Sequence, residues 1–356
     1  MIRWILVHPT PQTAPILNSL ADDGLPIQAE YLALDSRGRG WGDVELRHQW
    51  REVGIENSAW MLLRGLRSGL DRRMSALVSH GYASTYQVGA LLGARISHKP
   101  VFMRSDSSHR QELLKGKRKR RAKSAFLKLL LSRKRTVAWT VGADNEEYWR
   151  QYGMSRTHFI PFESPVPDTS DQRVGVEASD DAPPTILYVG RLHEVKGLRE
   201  LRAAGERLHA QGVGFHLRLV GVGPLDSLFR NLPWATLVGA LQRSELAAEF
   251  AAARVLVVPS RAEPYGLVVR EALQFGLPVV ATTVVTAARE LCDQGWNIVE
   301  NDPVKIADAL KRGLVEERWA LVPPIDVAAQ YASALAHFST NCAKSTTRSQ
   351  PPNASR

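Results

Sequence analysis

Cysteine is nearly missing from this sequence. Its 356 residues include two, Cys292 and Cys342, too few for a disulfide framework or a cysteine zinc site. That fits a reducing cytoplasm. No apolar run approaches the length of about 20 residues that spans a bilayer. The first run, Trp4 to Val7, stops before Pro9 and is too short for a signal peptide. A cytoplasmic protein, at most peripheral on the inner face of a membrane, is therefore expected. No segment repeats at the spacing of a solenoid. Acidic residues are outnumbered, 36 against 46 basic ones, for a net charge of +10. The excess suggests an anionic partner: nucleic acid, membrane or nucleotide. Acidic residues are wholly absent from Lys115 to Arg135, which holds eleven basic ones.

The remaining composition is that of a globular protein long enough for two domains, each with its own core. The most informative stretch is 254–281. Val255 to Val258 is a short β-branched run, predicted as a strand buried on both faces of a parallel sheet. Arg261 to Tyr265 is a loop. Leu267 to Phe275 has helical spacing, Gly276 is its stop signal, and Leu277 to Ala281 is the next strand. A strand–loop–helix–strand unit of this kind places its loop at the carboxyl ends of the strands, where doubly wound sheets bind ligands. Gly266 opens the first helical turn to close approach, and the free N–H groups there form an anion site. Glu263 and Glu271 bracket it. Glu271 suits a ribose diol, and Glu263 the far side of a phosphate. Equally, Glu263 can be a helix cap and Glu271 a surface residue.

Glu263-Pro264-Tyr265-Gly266-Leu267, Glu271-Ala272 and Gly276-Leu277-Pro278-Val279-Val280-Ala281 together resemble the signature of family-4 glycosyltransferases, whose two Glu residues form an E-x7-E motif. The resemblance implies a GT-B fold, in which two Rossmann-like doubly wound domains face each other across a cleft. It also implies retaining transfer from a nucleotide-sugar donor to a glycan or lipid-linked acceptor, with no cofactor and no metal. Other parts of the second half agree. Thr185 to Val189 is a strand, followed by Gly190-Arg191-Leu192-His193-Glu194-Val195-Lys196-Gly197. An Arg and a Lys in a Gly-flanked loop suit a diphosphate, and the resemblance gives Arg191 and Lys196 that role. Gly221 and Gly223, in Gly221-Val222-Gly223-Pro224, match the family's turn near base and phosphates. The resemblance thus makes Arg191, Lys196, Gly221, Gly223, Gly266, Leu267 and Glu271 donor-binding residues. Glu263 and His80 are the candidate catalytic residues, His80 lying at the carboxyl end of the strand predicted for Ala76 to Ser79.

The chain divides as follows. Residues 1–165 form an acceptor-binding Rossmann-like domain and 166–184, rich in Pro, Asp and Ser, a linker. Residues 185–325 form the nucleotide-sugar-binding domain, 326–338 a helix crossing back to the first domain, and 339–356 a disordered tail. In the first domain, Thr10 or Thr13 can face the cleft; Asp106 and His109 are candidates for acceptor contacts, or equally part of a helix cap in which Ser107 or Ser108 precedes Gln111 and Glu112. The segment 115–135 has two readings. It can dock on an anionic membrane surface, cations on headgroups and Phe126 to Leu131 at the interface, or it can be a solvated loop before a core helix. A nucleic-acid-binding protein using this segment is the alternative from another class, but only Phe126 interleaves its charges. A phosphorylase or sugar-phosphate synthase on the same fold is a third reading.

Overall fold

The computed structural model describes residues 1–10, 12–34, 44–113, 115–131, 135–161, 183–323 and 325–346; at 243–244 and 337–346 it describes backbone alone. Most of the expected linker, 166–182, lies outside the described residues.

The first domain runs β1 (Ile2–Leu6), α1 (Thr13–Asp22), β2 (Ile27–Tyr31), β3 (Gln49–Glu52), α2 (Ala59–Leu70), β4 (Ala76–His80), α3 (Thr85–Ile96) and β5 (Val101–Arg104). It continues through α4 (His109–Leu113), α5 (Lys117–Leu131), β6 (Thr136–Thr140), α6 (Ala143–Gln151) and β7 (Thr157–Phe159). The second comprises β8 (Thr185–Val189), α7 (Leu198–Ala210), β9 (His216–Val220), β10 (Ala235–Gly239), α8 (Arg243–Ala252) and β11 (Val255–Val258). Then come α9 (Leu267–Gln274), β12 (Val279–Thr282), α10 (Thr286–Leu291), β13 (Ile298–Val299), α11 (Pro303–Gly313) and α12 (Val327–Thr346).

Each domain is built on one sheet, ordered β3-β2-β1-β4-β5-β6-β7 in the first and β10-β9-β8-β11-β12-β13 in the second. Every pairing in both is parallel. The order reverses direction between β1 and β4, and again between β8 and β11. A crevice opens at such switch points because the flanking connections leave to opposite faces. In the second sheet the central β11 is apolar on both sides, as a sheet covered on both faces requires: Val255, Leu256 and Val257 are all but inaccessible.

The last helix belongs to the first domain. Tyr331 of α12 meets the rings of Trp4 and Trp139 edge-on at 5.3 and 4.8 Å, so the chain returns to β1 and β6 after completing the second domain. This helix extends through Thr346, beyond the expected end at 338. The polar residues from Ser339 to Thr346, expected as a tail, continue the helix, and with no Pro or Gly among them nothing in the segment breaks it.

Helices α2 and α3 pack backbone to backbone. A Cβ on Gly65 would lie 2.1 Å from the Tyr86 carbonyl oxygen, and one on Gly89 2.1 Å from that of Leu62. Gly69 and Gly93 face the partner helix in the same way. Alanine would favour either helix by about 1 kcal/mol, but the clash is with rigid backbone and must force the helices apart. Gly89→Ala is therefore expected to lower the unfolding free energy by roughly 1–3 kcal/mol, read as a fall in the urea midpoint at unchanged slope.

Candidate active site

The loops that leave β1, β4, β8 and β11 converge on a cleft of about 810 Å³ between the domains. The first domain contributes Thr10, Thr13, His80, Tyr82 and Asp106, and the second Gly190, Lys196, Glu263, Gly266 and Leu267. The volume is that of a site for a sizeable small molecule.

On the second domain, Gly266 has φ 101° and caps α9 without a side chain. Its left-handed backbone and the 2.6 Å that would separate an added Cβ from Val285 Cγ1 both require glycine. Because Gly266, Leu267 and Val268 line the cleft, the first turn of α9 presents its N–H groups and the positive end of its dipole to whatever binds there. Lys196 lies opposite. Its Nζ donates to Glu263 Oε2 at 2.6 Å, and Ser260 Oγ donates to the same oxygen at 3.0 Å. Glu263 therefore holds the lysine at the cleft wall and does not cap α9. The two loops are locked together behind this pair. A Cβ on Gly197 would lie 1.8 Å from the Pro259 carbonyl oxygen, and that oxygen accepts from Asn301 Nδ2 at 2.6 Å.

The other donor-side residues stand outside the cleft lining. Gly221 and Gly223 lie behind it: added Cβ atoms would sit 2.0 Å from the Gly190 oxygen and 2.3 Å from the Leu192 oxygen. They let the loop after β9 nest against the loop after β8. Arg191 is exposed beside Gly190, whose loop is pinned by a 2.9 Å bond from the Tyr188 hydroxyl to the Arg191 carbonyl. Glu271 is buried in α9, 5% exposed, and not on the surface.

On the first domain, His80 ends β4. Its Nε2 accepts from the Trp4 indole N–H at 2.8 Å, so the ring hydrogen resides on Nδ1. Burial, with the charge of Arg104 second, pushes its pKa down to about 3; the ring is neutral at physiological pH. Thr10 and Thr13 both face the cleft and bond to each other at 2.9 Å. Asp106 reaches the cleft; His109, the first residue of α4, is not part of the lining.

Several residues escaped the sequence reading. Lys115 and Lys123, two members of the basic segment, turn inward and line the cleft beside Tyr82. Across the domain junction, Glu290 of α10 accepts from the Ala143 N–H at 2.7 Å, capping a helix of the other domain that has no side-chain cap of its own. Arg110 Nη1 donates to the Thr283 carbonyl at 2.9 Å. Val141 packs into the second domain's core beside Tyr265. Such contacts connect residues distant in sequence, and no local motif announces them.

Residues 183–316 match the family model for "Glycosyl transferases group 1". Over 147 residues the chain is 31% identical to sulfoquinovosyl transferase of Arabidopsis thaliana, a match covering 40% of this chain and 25% of that protein. The chain thus spans about a quarter of the length of this curated relative. Among solved structures, sucrose-phosphate synthase from Thermosynechococcus elongatus superposes with a TM-score of 0.69 at 19% identity, covering 96% of this chain and 99% of that one. Anabaena HepE in complex with UDP and glucose gives 0.67 at 15% identity over 94% and 99%. The fold is GT-B, and the second domain carries the sequence character of group 1 glycosyl transferases.

The Lys196–Glu263 pair is mostly shielded, the side chains 18% and 10% exposed. Removing one partner strands the other's charge. Lys196→Ala is expected to cost about 1–3 kcal/mol of stability, discounted for partial exposure, and the added change Glu263→Gln to recover part of it. Urea unfolding of the two variants checks this; equal losses would mean the pair is not coupled.

Proposed function

We propose that this protein is a retaining glycosyltransferase that moves a sugar from a nucleotide-sugar donor to a glycan or glycolipid acceptor, in cell-surface polysaccharide or glycolipid synthesis. The observation that carries the reading is the convergence of Lys196, Glu263 and the Gly266 turn of α9 at one cleft, within the stretch that matches group 1 glycosyl transferases. The donor's diphosphate sits on the first turn of α9, where N–H groups and Lys196 meet the negative charge that grows as the sugar departs. Arg191 closes on the phosphates from the exposed side. Glu271 accepts from the ribose. Neutral His80, held by Trp4, faces the transferred sugar and offers Nδ1–H to a hydroxyl. The first domain receives the acceptor. The UDP and glucose in the HepE complex make UDP-glucose the first donor to try.

Lys196→Ala and Arg191→Ala each remove a charged hydrogen bond worth roughly 1.5–3 kcal/mol, which predicts a ten- to hundred-fold loss in donor binding or transfer. Titration calorimetry with nucleoside diphosphates and turnover of a nucleotide-sugar panel measure it. Parent-like behaviour of both variants sinks the site assignment. The product should keep the donor's anomeric configuration by NMR. Among the described residues no three His, Cys, Asp or Glu gather as metal ligands, and activity is expected to survive EDTA.

The basic segment supports a membrane role beside this chemistry. No described helix is long and apolar enough to cross a bilayer. In α5, Leu127, Leu130 and Leu131 belong to the core, whereas Phe126 and Leu129 are 40% and 68% exposed. With Arg118, Arg121, Ala122 and Ala125 they recur at helical spacing along one exposed stripe. Cations followed by two apolar side chains suit an anionic bilayer surface, each nearby cation contributing about 1 kcal/mol. The protein is expected to sediment with anionic vesicles, not neutral ones, and to be released by salt. Replacing Lys117 through Arg121 by Ser or Gln should abolish binding and leave nucleotide affinity intact. Equal sedimentation with both vesicle types would favour a soluble acceptor.

A further inference from the structure

Lys115 and Lys123 occupy the first-domain corner of the cleft, beyond His80. Both donate to the same atom, Glu112 Oε2, at 3.0 and 2.7 Å, which puts the two ammonium groups within about 6 Å of each other. Glu112 is nearly inaccessible, and this one carboxylate serves two lysines. Burial opposes ionisation of Glu112, but the bonds from Lys123 and its neighbours prevail and hold it below the usual carboxylate range. Lys123 is fixed from several sides. Its Nζ stands 4.9, 5.2 and 5.7 Å from the ring centres of Tyr148, Tyr152 and Tyr82, and the Tyr82 and Tyr148 hydroxyls bond to each other. Lys115 is half exposed and meets the cleft from its open side. Arg104, the third cation lining this wall, is buried and donates to the carbonyls of Ile160 and Pro161. Three cations here face two carboxylates, Asp106 and Glu112. Tyr82 adds a ring at the same wall, the surface on which a sugar stacks.

We infer that this corner is an oxyanion subsite: the acceptor is an anionic sugar, phosphorylated or carboxylated, whose charged group is bound by Lys115 and Lys123 while its ring lies against Tyr82. The inference rests on the transferase reading for the word acceptor. Two ammonium groups crowded around one carboxylate repel each other, and an incoming oxyanion relieves that repulsion. The preset position of Lys123 means that little side-chain freedom is lost on binding. Lys115 supplies the mobile partner. The donor diphosphate is held elsewhere, on the Gly266 turn across the cleft, so the two anion sites are separate.

The test uses the full chain, free and saturated with whichever of UDP, GDP or ADP binds. Glucose, glucose 6-phosphate, glucuronate and orthophosphate are titrated in turn, followed by calorimetry and by the NMR signals of isotopically methylated lysines. At least one charged sugar should bind ten-fold or more tighter than glucose and tighter than orthophosphate, shifting the Lys115 and Lys123 signals. Lys115→Gln should weaken that binding about five-fold or more and leave nucleotide affinity unchanged. Lys123→Gln alone strands Glu112, so the triple variant Lys115→Gln/Lys123→Gln/Glu112→Gln is the folded control, expected to lose the preference for charge. Binding of glucose as tightly as the charged sugars, or no saturable binding by any of them, would overturn the inference. So would orthophosphate matching the sugar phosphates, which would mark a free-anion site. A fall in nucleotide affinity in Lys115→Gln would instead assign the lysines to the donor. Should no nucleotide bind, the transferase reading fails, while the titrations on the free protein still judge the subsite.

Discussion

Parallel pairing governs this molecule. A parallel strand cannot be followed directly by its neighbour, and each connection must travel back across a face of the sheet before the next strand begins. All carboxyl ends in a sheet therefore point one way. The loops leaving them gather at one rim, and the reversal of order between β1 and β4 and between β8 and β11 parts that rim into a crevice. Thr10, His80, Lys196 and Glu263 come from the ends of four separate strands or the loops beyond them and still share one cavity. Their chemistry depends on the two reversals facing each other.

Within that frame the second domain was the more readable half. Its strands β11 and β12 are nearly unbroken apolar runs, and its cleft loops contain glycines whose need is local: Gly266 for a left-handed turn against Val285, Gly197 for contact with Pro259. Local constraints leave local patterns. The first domain hides its logic in pairings across long separations. The short exposed strand β3 has no apolar run to reveal it, and the close contact of α2 with α3 depends on glycines that read as breakers. The basic segment was legible only in part: its cations and its apolar half could be told apart, but not that the helix sends Lys123 inward while Arg118 and Arg121 stay outside. Only the angular position of each residue on α5 separates the two groups, and the segment's helical span could not be judged from composition alone. Glu263 was read as a phosphate-facing or capping group, whereas its closest bond is to Lys196.

The charges of the cleft are arranged as held cations. Lys196 is kept by Glu263, and Lys115 and Lys123 by Glu112, in each case with a carboxylate more shielded than its partner. Pairing of this kind keeps a lysine oriented before a ligand arrives. It also limits the strength with which a ligand anion is held, because the resident carboxylate competes for the same ammonium. The backbone N–H groups at the start of α9, by contrast, have no side-chain competitor at the Gly266 cap.

The return of α12 to the first domain has a mechanical meaning. The polypeptide passes between the domains twice, once after β7 and once before Val327, and the second passage is anchored where Tyr331 lies against Trp4 and Trp139. The final helix thereby stands directly behind the Trp4 whose indole holds His80, so the end of the chain braces the cleft wall formed near its start.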